Sequence, residues 1–145
     1  MKDIPEYLQR VASGEIPPSP IMELIGFGFT HVEHGRAIVE LDVGEQHTNP
    51  FGLVQGGLIC DIADSAMGAA YHSTLEENES CTTLEIKVSY FKPAPKTKLL
   101  AEGRVIKQGR NIGFLECDVT DNEGNLIARA TSTLLKNEPS TGKGK

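Results

Sequence analysis

The stretch from Gly57 to Leu75 constrains the fold most, because it is the one long segment of the sequence with a helical pattern. It is rich in alanine and includes Gly68, and such small side chains allow a sheet to pack very close to a helix. Strand-like runs lie on both sides of it along the chain. We therefore predict an α+β fold, with one long helix packed against a curved antiparallel sheet of about six strands.

Two strands are predicted before this helix and four after it, at Phe27–Glu33, Arg36–Val43, Thr82–Phe91, Lys98–Lys107, Asn111–Asp121 and Asn125–Leu135. In the third strand, the alternation of residues predicts that Leu84 faces the core and that Thr83 lies on the opposite, polar side. A single helix cannot cover both faces of a sheet. The other face or an edge is therefore expected to meet another subunit.

The two ends of the chain are predicted to lie outside this domain. Residues 4–13 have the pattern of a short amphipathic helix, and Pro17, Pro18 and Pro20 predict a stiff connector. We place this N-terminal helix and connector at residues 1–20, the main domain at residues 21–136 and a disordered tail at residues 137–145.

The composition is that of one globular domain without a membrane segment. The chain has 145 residues, and no apolar run approaches the ~20 residues that span a bilayer. The first residues form no apolar signal segment, so a cytoplasmic location is expected. Cys60, Cys81 and Cys117 are too widely spaced for a zinc site or a disulfide framework, and buried, inert thiols are expected.

The charges are distributed unevenly along the chain. The net charge of −6 argues against a general nucleic-acid binder. Half of the 14 lysine and arginine residues nevertheless lie in residues 87–110, together with one acidic residue, Glu102. This window is either a solvated strand face with polar turns or a local site for an anion such as a nucleotide phosphate, and the charges alone favour neither.

The segment Asn49–Asp64 combines two features that indicate a catalytic site. Gly56 and Gly57 at a helix start leave uncrowded backbone N–H groups, where the helix dipole favours negative charge. Asp64 then lies inside the apolar helix, where an unpaired carboxylate is costly. Two simpler interpretations stay open: the glycines serve a tight turn or close packing, and Asp64 shares a solvent-facing stripe with Asp61.

Six short segments, in this order, resemble the hotdog-fold thioesterases and specifically the PaaI-type acyl-CoA thioesterases. They are His47–Gly52, Gln55–Gly57, Asp64–Ala66, Tyr90–Ala94, Lys107–Arg110 and Asn122–Ala128. The resemblance spans Leu24–Leu135. It implies a helix wrapped by an antiparallel sheet, homodimers or homotetramers with active sites at the interface, and hydrolysis of a thioester between coenzyme A and an acyl group.

The resemblance also implies roles for individual residues. Asp64 is the general base that activates water, or the nucleophile itself, and the backbone N–H of Gly57 is the oxyanion donor. Asn49, Gln55 and Thr83 position the reactants. For Asn49, a simple Asn-Pro turn is the alternative interpretation.

Gln55 stands where the family usually has histidine, and glutamine cannot act as an acid or a base. This weakens the interpretation as a hotdog enoyl-CoA hydratase, because that enzyme needs a catalytic histidine. It also motivates the second hypothesis, a non-catalytic acyl-CoA-binding or sensing module. Thr82 competes with Thr83 for the same role. The histidines of the chain, at surface or strand positions by this interpretation, are His31, His34, His47 and His72.

The coenzyme A part of the substrate is expected, by the same resemblance, at Lys107, Gln108, Gly109, Arg110, Asn111 and Ile112. Tyr90 lines the thioester or pantetheine channel or, alternatively, is a core or interface aromatic residue. No metal and no separate cofactor are expected, since coenzyme A is part of the substrate. Neither nucleic acid nor membrane is expected as a partner.

Overall fold

The computed structural model describes residues 5–139, which form three helices, a short 3-10 turn and one six-stranded sheet. The helices are α1 (Glu6–Ala12), α2 (Pro20–Ile25) and α3 (Gly56–His72), and the 3-10 turn is Glu45–His47. The strands are β1 (Phe27–Glu33), β2 (Arg36–Asp42), β3 (Ser80–Tyr90), β4 (Lys98–Gln108), β5 (Ile112–Thr120) and β6 (Leu126–Asn137). The sheet is antiparallel throughout, with the order β1-β2-β4-β5-β6-β3, so that β1 and β3 form its edges.

The predicted α+β architecture is confirmed, and each predicted strand ends within two residues of an observed one. The sequence interpretation missed α2 and treated its first residue, Pro20, as part of a connector. Ser19 and Pro20 carry the signal for it, because proline is favoured at the first position of a helix, and Gly26, with a φ of 92°, ends it. Residue 4 of the predicted first helix and residues 140–145 of the predicted tail lie outside the described residues.

The core lies between α3 and one face of the sheet. Ala63, Ala66 and Ala70 of α3 are completely buried, and the helix packs mainly against β4 and β2. Gly103 of β4 lies directly under the helix: a Cβ atom there would be 2.6 Å from the backbone carbonyl carbon of Ala66. The small residues therefore bring helix and sheet into closer contact than larger side chains would permit.

The edge strand β3 contains a β-bulge between Thr83 and Glu85. A bulge inserts one extra residue and so changes which side chains face each side of the strand. Thr83 faces α3 and Ile86 packs against the core, whereas Leu84 is 52% exposed. The prediction that Leu84 faces the core and Thr83 faces away from it is therefore wrong.

The cysteines differ in burial. Cys117 is fully buried, whereas Cys60 and Cys81 are partly exposed, so the expectation of a buried thiol is confirmed for Cys117 alone. Burial raises the pKa of Cys81 to about 11 and that of Cys117 to about 12. Both thiols therefore stay protonated near neutral pH, which makes them poor nucleophiles.

Within residues 5–139, no helix combines the length and the apolar character that a membrane crossing requires. The cytoplasmic location stays a prediction.

The substitution Gly103→Ala is expected to lower the free energy of unfolding by about 3 kcal/mol, the upper end of the usual cost of overpacking a core. The added methyl group would meet helix backbone, which cannot move aside as a flexible side chain would. Urea unfolding measures the change. Gly28→Ala in β1 is the matched control, because its methyl group would enter open space, and an equal loss in both variants would contradict this account.

Candidate active site

Asp64 lies about two turns into α3 and is half-buried. The hydroxyl group of Thr83 donates a hydrogen bond of 2.8 Å to its Oδ1 atom. The bulge in β3 is what turns Thr83 towards the helix. Within residues 5–139, the second carboxylate oxygen of Asp64 accepts no hydrogen bond, so the carboxylate is oriented by one oxygen and keeps the other for a reactant.

Asp61 lies one turn before Asp64 on the same side of α3 and is also half-buried. Burial, and secondly the negative charge of Asp64, raise the pKa of the Asp61 carboxyl. Neither carboxylate is fully exposed, so the pair does not form the solvent-facing stripe that was the simpler interpretation. The hydrogen bond from Thr83 distinguishes Asp64 from Asp61.

The start of α3 presents free backbone donors. Gln55 precedes the helix, and its side chain makes no capping hydrogen bond. Gly57 is exposed, and its N–H finds no acceptor among the described residues 5–139. The first N–H groups of a helix lack intrahelical partners and lie at the positive end of its dipole. This helix start can therefore stabilise a developing negative charge.

Asn49 organises the loop before this helix. Its Oδ1 atom accepts hydrogen bonds from the backbone N–H groups of Phe51, at 2.9 Å, and Leu53, at 3.2 Å. The turn interpretation of Asn49 is thus correct for its carbonyl oxygen. Its side-chain NH₂ group donates no hydrogen bond within the part of the chain that the structure describes, so a positioning role for that group stays a prediction.

His47 is buried, and the prediction that it lies at a surface or strand position is wrong. Its Nδ1 atom accepts a hydrogen bond from Gly44 N–H at 2.9 Å, so Nε2 carries the proton and donates to the carbonyl of Ile25 at 2.6 Å. This neutral imidazole ties the loop to the end of α2. His72 also differs from the prediction, because it is half-buried at the end of α3, whereas His31 and His34 are exposed.

Tyr90 belongs to the helix start rather than to the basic turn. Its hydroxyl group donates a hydrogen bond of 2.6 Å to the carbonyl of Gly56. Its ring lies against that residue, because a Cβ atom on Gly56 would be 3.3 Å from the ring. Tyr90, Asn49 and Gly56 line one cavity of about 340 Å³. This placement is consistent with a residue that lines a channel beside the glycine turn.

The predicted catalytic residues form two clusters, not one. Asp64 with Thr83 is the first, and Gly57 with Gln55, Asn49 and the adjacent Tyr90 side chain is the second. Gly57 and Asp64 are seven positions apart in the helix, which is about 10 Å along the axis. A single thioester carbonyl cannot contact both groups of one protomer.

The predicted coenzyme A contacts Lys107, Gln108, Gly109, Arg110, Asn111 and Ile112 are all exposed at the turn between β4 and β5. In the basic window, four residues face carboxylates: Lys92 with Asp121, Lys96 with Glu45, Lys98 with Glu40, and Arg104 with Glu116. Lys87, Lys107 and Arg110 have no carboxylate partner among residues 5–139. The solvated-face interpretation therefore fits one part of the window, and the turn keeps uncompensated positive charge.

Within the described chain, no three His, Cys, Asp or Glu side chains are grouped so that they could hold a metal ion. The expectation that the reaction needs no metal and no cofactor stays a prediction.

Residues 51–128 match the Thioesterase superfamily, and this span contains α3 with its glycine turn, Asp64 and Thr83. The chain belongs to the thioesterase superfamily. The predicted family is thus confirmed, and so is the predicted class of enzyme. The site residues themselves stay predictions.

Curated members of this superfamily carry the names of coenzyme A thioester hydrolases. Human acyl-coenzyme A thioesterase 13 is 31% identical over 101 residues, which cover 68% of this chain and 71% of that protein. The 1,4-dihydroxy-2-naphthoyl-CoA hydrolase of Listeria monocytogenes is 27% identical over 114 residues, which cover 79% of this chain and 93% of that protein.

Solved structures confirm the hotdog fold. A thioesterase of Haemophilus influenzae superposes with a TM-score of 0.83 at 21% identity, over 99% of this chain and 97% of that one. A phenylacetic acid degradation-related protein of Ralstonia eutropha superposes with a TM-score of 0.82 at 28% identity, over 90% and 99%. The PaaI protein of Escherichia coli superposes with a TM-score of 0.83 at 17% identity, over 94% of this chain and 97% of that one.

Asp61→Asn is expected to raise the melting temperature at neutral pH. A carboxyl whose pKa is raised by folding costs stability above its folded pKa and costs none below its unfolded value, here 3.8. The gain should therefore shrink as the pH falls towards 3.8. Thermal unfolding of wild type and variant across this range measures it, and a gain that is the same at every pH would contradict the electrostatic cause.

Proposed function

We propose that the protein hydrolyses acyl-coenzyme A thioesters to the free acid and coenzyme A. The observation that carries this proposal is the Asp64 carboxylate, which is half-buried in an apolar helix, oriented by Thr83 and left with one oxygen without a partner. A carboxylate on an apolar helix is costly without a partner, and Asp64 lines a cavity together with Thr83, as a catalytic carboxylate would. The names of the relatives support coenzyme A thioesters as the substrate class.

In the proposed reaction, Asp64 acts on the carbonyl carbon of the thioester. As a general base it takes a proton from water, whose oxygen then attacks that carbon; as a nucleophile it attacks the carbon itself, and water hydrolyses the resulting anhydride. In both routes the carbon–sulfur bond breaks, the thiolate leaves and is protonated, and one water molecule is consumed. The hydrogen bond from Thr83 holds the carboxylate in one orientation during this step.

The negative charge that develops on the carbonyl oxygen needs donors, and the Gly57 N–H at the start of α3 is suited to supply one. Because about 10 Å of helix separates it from Asp64 of the same protomer, we propose that the two groups of one site come from two copies of the chain. Gln55 and the free amide group of Asn49 would then orient the same carbonyl from the Gly57 side. The open edge of β3 offers backbone groups through which two copies can pair.

For the nucleotide part of coenzyme A, we propose the turn between β4 and β5. Lys107 and Arg110 flank Gly109 there, and neither is neutralised by a carboxylate among residues 5–139. Arginine and lysine both bind phosphates, and arginine can do so with two hydrogen bonds. On a chain with a net charge of −6, an uncompensated basic turn also steers an anionic substrate.

Replacing the proposed base by its neutral isostere, in Asp64→Asn, is expected to lower kcat by about 10²–10⁴-fold, the usual contribution of a positioned acid–base group. Release of free thiol from aryl, short, medium and long acyl-CoA thioesters measures it. The control is Asp61→Asn, one helical turn before Asp64. This variant should keep at least wild-type stability and most of the activity. Thr83→Ala should lose activity and Thr82→Ala should not, since only Thr83 contacts Asp64.

Activity that survives in Asp64→Asn but is lost in Asp61→Asn would show that Asp61, and not Asp64, is the catalytic carboxylate. No thiol release from any thioester by the wild type, with coenzyme A still bound, would instead indicate a binding module.

The shared site predicts complementation between inactive copies. Gly57→Pro removes one backbone N–H at a helix position where proline is tolerated, and it should be inactive, as should Asp64→Asn. Co-expression of the two variants should restore part of the activity, because each mixed dimer keeps one intact site. Mixed dimers that form but stay inactive would show that both groups act within one protomer.

A further inference from the structure

A cavity of about 500 Å³ lies between the N-terminal segment and α3. Its walls are predominantly apolar and come from α1, α2 and β1, through Leu8, Val11, Met22, Phe27 and Phe29. Asp64 and Thr83 line it at one end, and His72 lines it at the other. Asp64 and His72 are eight positions apart in the helix, so the cavity runs about 12 Å along α3.

The side of α3 that faces this cavity has only small side chains near its middle, at Ser65, Gly68 and Ala69. Gly68 is the informative one. It lowers helix propensity, it has no positive φ, and a Cβ atom placed on it would meet nothing within 4 Å. Neither backbone conformation nor packing against the protein therefore requires glycine here, in contrast to Gly103.

The open space above Gly68 begins one helical turn beyond Asp64, on the same side of the helix. A group attached to a carbonyl carbon at Asp64 would pass over Gly68 as it entered the cavity. At the far end of the cavity, the ring of Tyr7 stacks on His72 with centroids 6.1 Å apart. The N–H of Glu6 also binds the carboxylate of Glu77 at 2.8 Å and holds α1 over the cavity.

We propose that this cavity takes up the acyl group of the thioester, and that Gly68 together with Met22 of α2 sets the length of acyl group that fits. The proposal rests on the proposed function, since it requires the carbonyl carbon to lie at Asp64. Of the two residues, Gly68 lies within residues 51–128, the part that matches the superfamily, whereas Met22 lies outside it. The occupant is an apolar chain or ring, because most of the lining is apolar.

The test compares Gly68→Leu with wild type on hexanoyl-, octanoyl-, decanoyl- and dodecanoyl-CoA. Leucine is a good helix former, and its four side-chain carbons would fill the middle of the cavity. Each methylene group excluded from an apolar site costs about fourfold in affinity, so the exclusion of about three to four of them should lower kcat/KM for dodecanoyl-CoA by about 100-fold. Hexanoyl-CoA should change much less, and Met22→Ala, which widens the opposite wall, should favour the longer chains.

Two results would overturn the proposal. An equal fall for every acyl length in Gly68→Leu, with unchanged unfolding, would mean that Gly68 has a structural role only. No change for any length in either variant would mean that the acyl group lies elsewhere and that another segment or a second copy covers this cavity.

A binding measurement separates this proposal from the hydrolytic function. S-Alkyl-coenzyme A thioethers cannot be hydrolysed, and calorimetry should show affinity for wild type that rises with alkyl length and a loss of that rise in Gly68→Leu. If wild type releases no thiol from thioesters but shows this pattern, hydrolysis is wrong and the cavity assignment stands. Affinity that is independent of alkyl length in wild type would refute the cavity assignment itself.

Discussion

The close contact between α3 and the sheet is the constraint on which the rest of the structure depends. Gly103 and the alanines of α3 allow this contact, and the polar residues of the helix, among them Asp64, lie on its other sides, where Asp64 lines a cavity. A half-buried carboxylate at that place is stabilised by a hydrogen-bond donor close by. The bulge in β3 supplies it by turning Thr83 inward, so one irregularity in an edge strand makes the acidic residue compatible with the fold.

A single helix therefore carries two chemically different groups at a fixed separation. Its start presents backbone donors at the positive end of the dipole, and its middle presents a carboxylate. Because a helix is rigid over two turns, neither group can move towards the other, and their distance is set by the number of residues between Gly57 and Asp64. The surrounding contacts, from Tyr90 at the start and Thr83 at the middle, fix each end separately.

Most of the fold was predictable because its signals are local. Apolar periodicity and turn glycines specified α3 and all six strands to within a few residues. The orientation of Thr83 was not, because a bulge depends on how β3 pairs with β6, and the β6 residues opposite this bulge are about 50 positions away in the chain. The burial of His47 was missed for the same reason: its partner at Ile25 belongs to a helix that begins at the last proline of a segment interpreted as a connector.

The residues of the candidate site were chosen from the sequence, but their separation into two clusters could not be predicted from it. Spacing along the chain pointed to the glycine turn and to Asp64, yet it gave no view of the cavity, whose lining extends from Tyr7 to Leu134. Such a cavity exists only after distant segments have come together, and apolar residues that line it have the same sequence pattern as those that fill a core. The missing side chain at Gly68 is visible in the sequence, but its meaning depends on what surrounds it.

That missing side chain exposes the protein to a particular evolutionary conflict. In a helix, alanine is more stable than glycine by about 1 kcal/mol where the backbone permits it, and at Gly68 the backbone does permit it. Selection for heat resistance alone would therefore replace this glycine by alanine, because that single substitution stabilises the helix. A lineage that retains glycine at this position would be one in which the open space above the helix matters more for fitness than the stability that alanine would add.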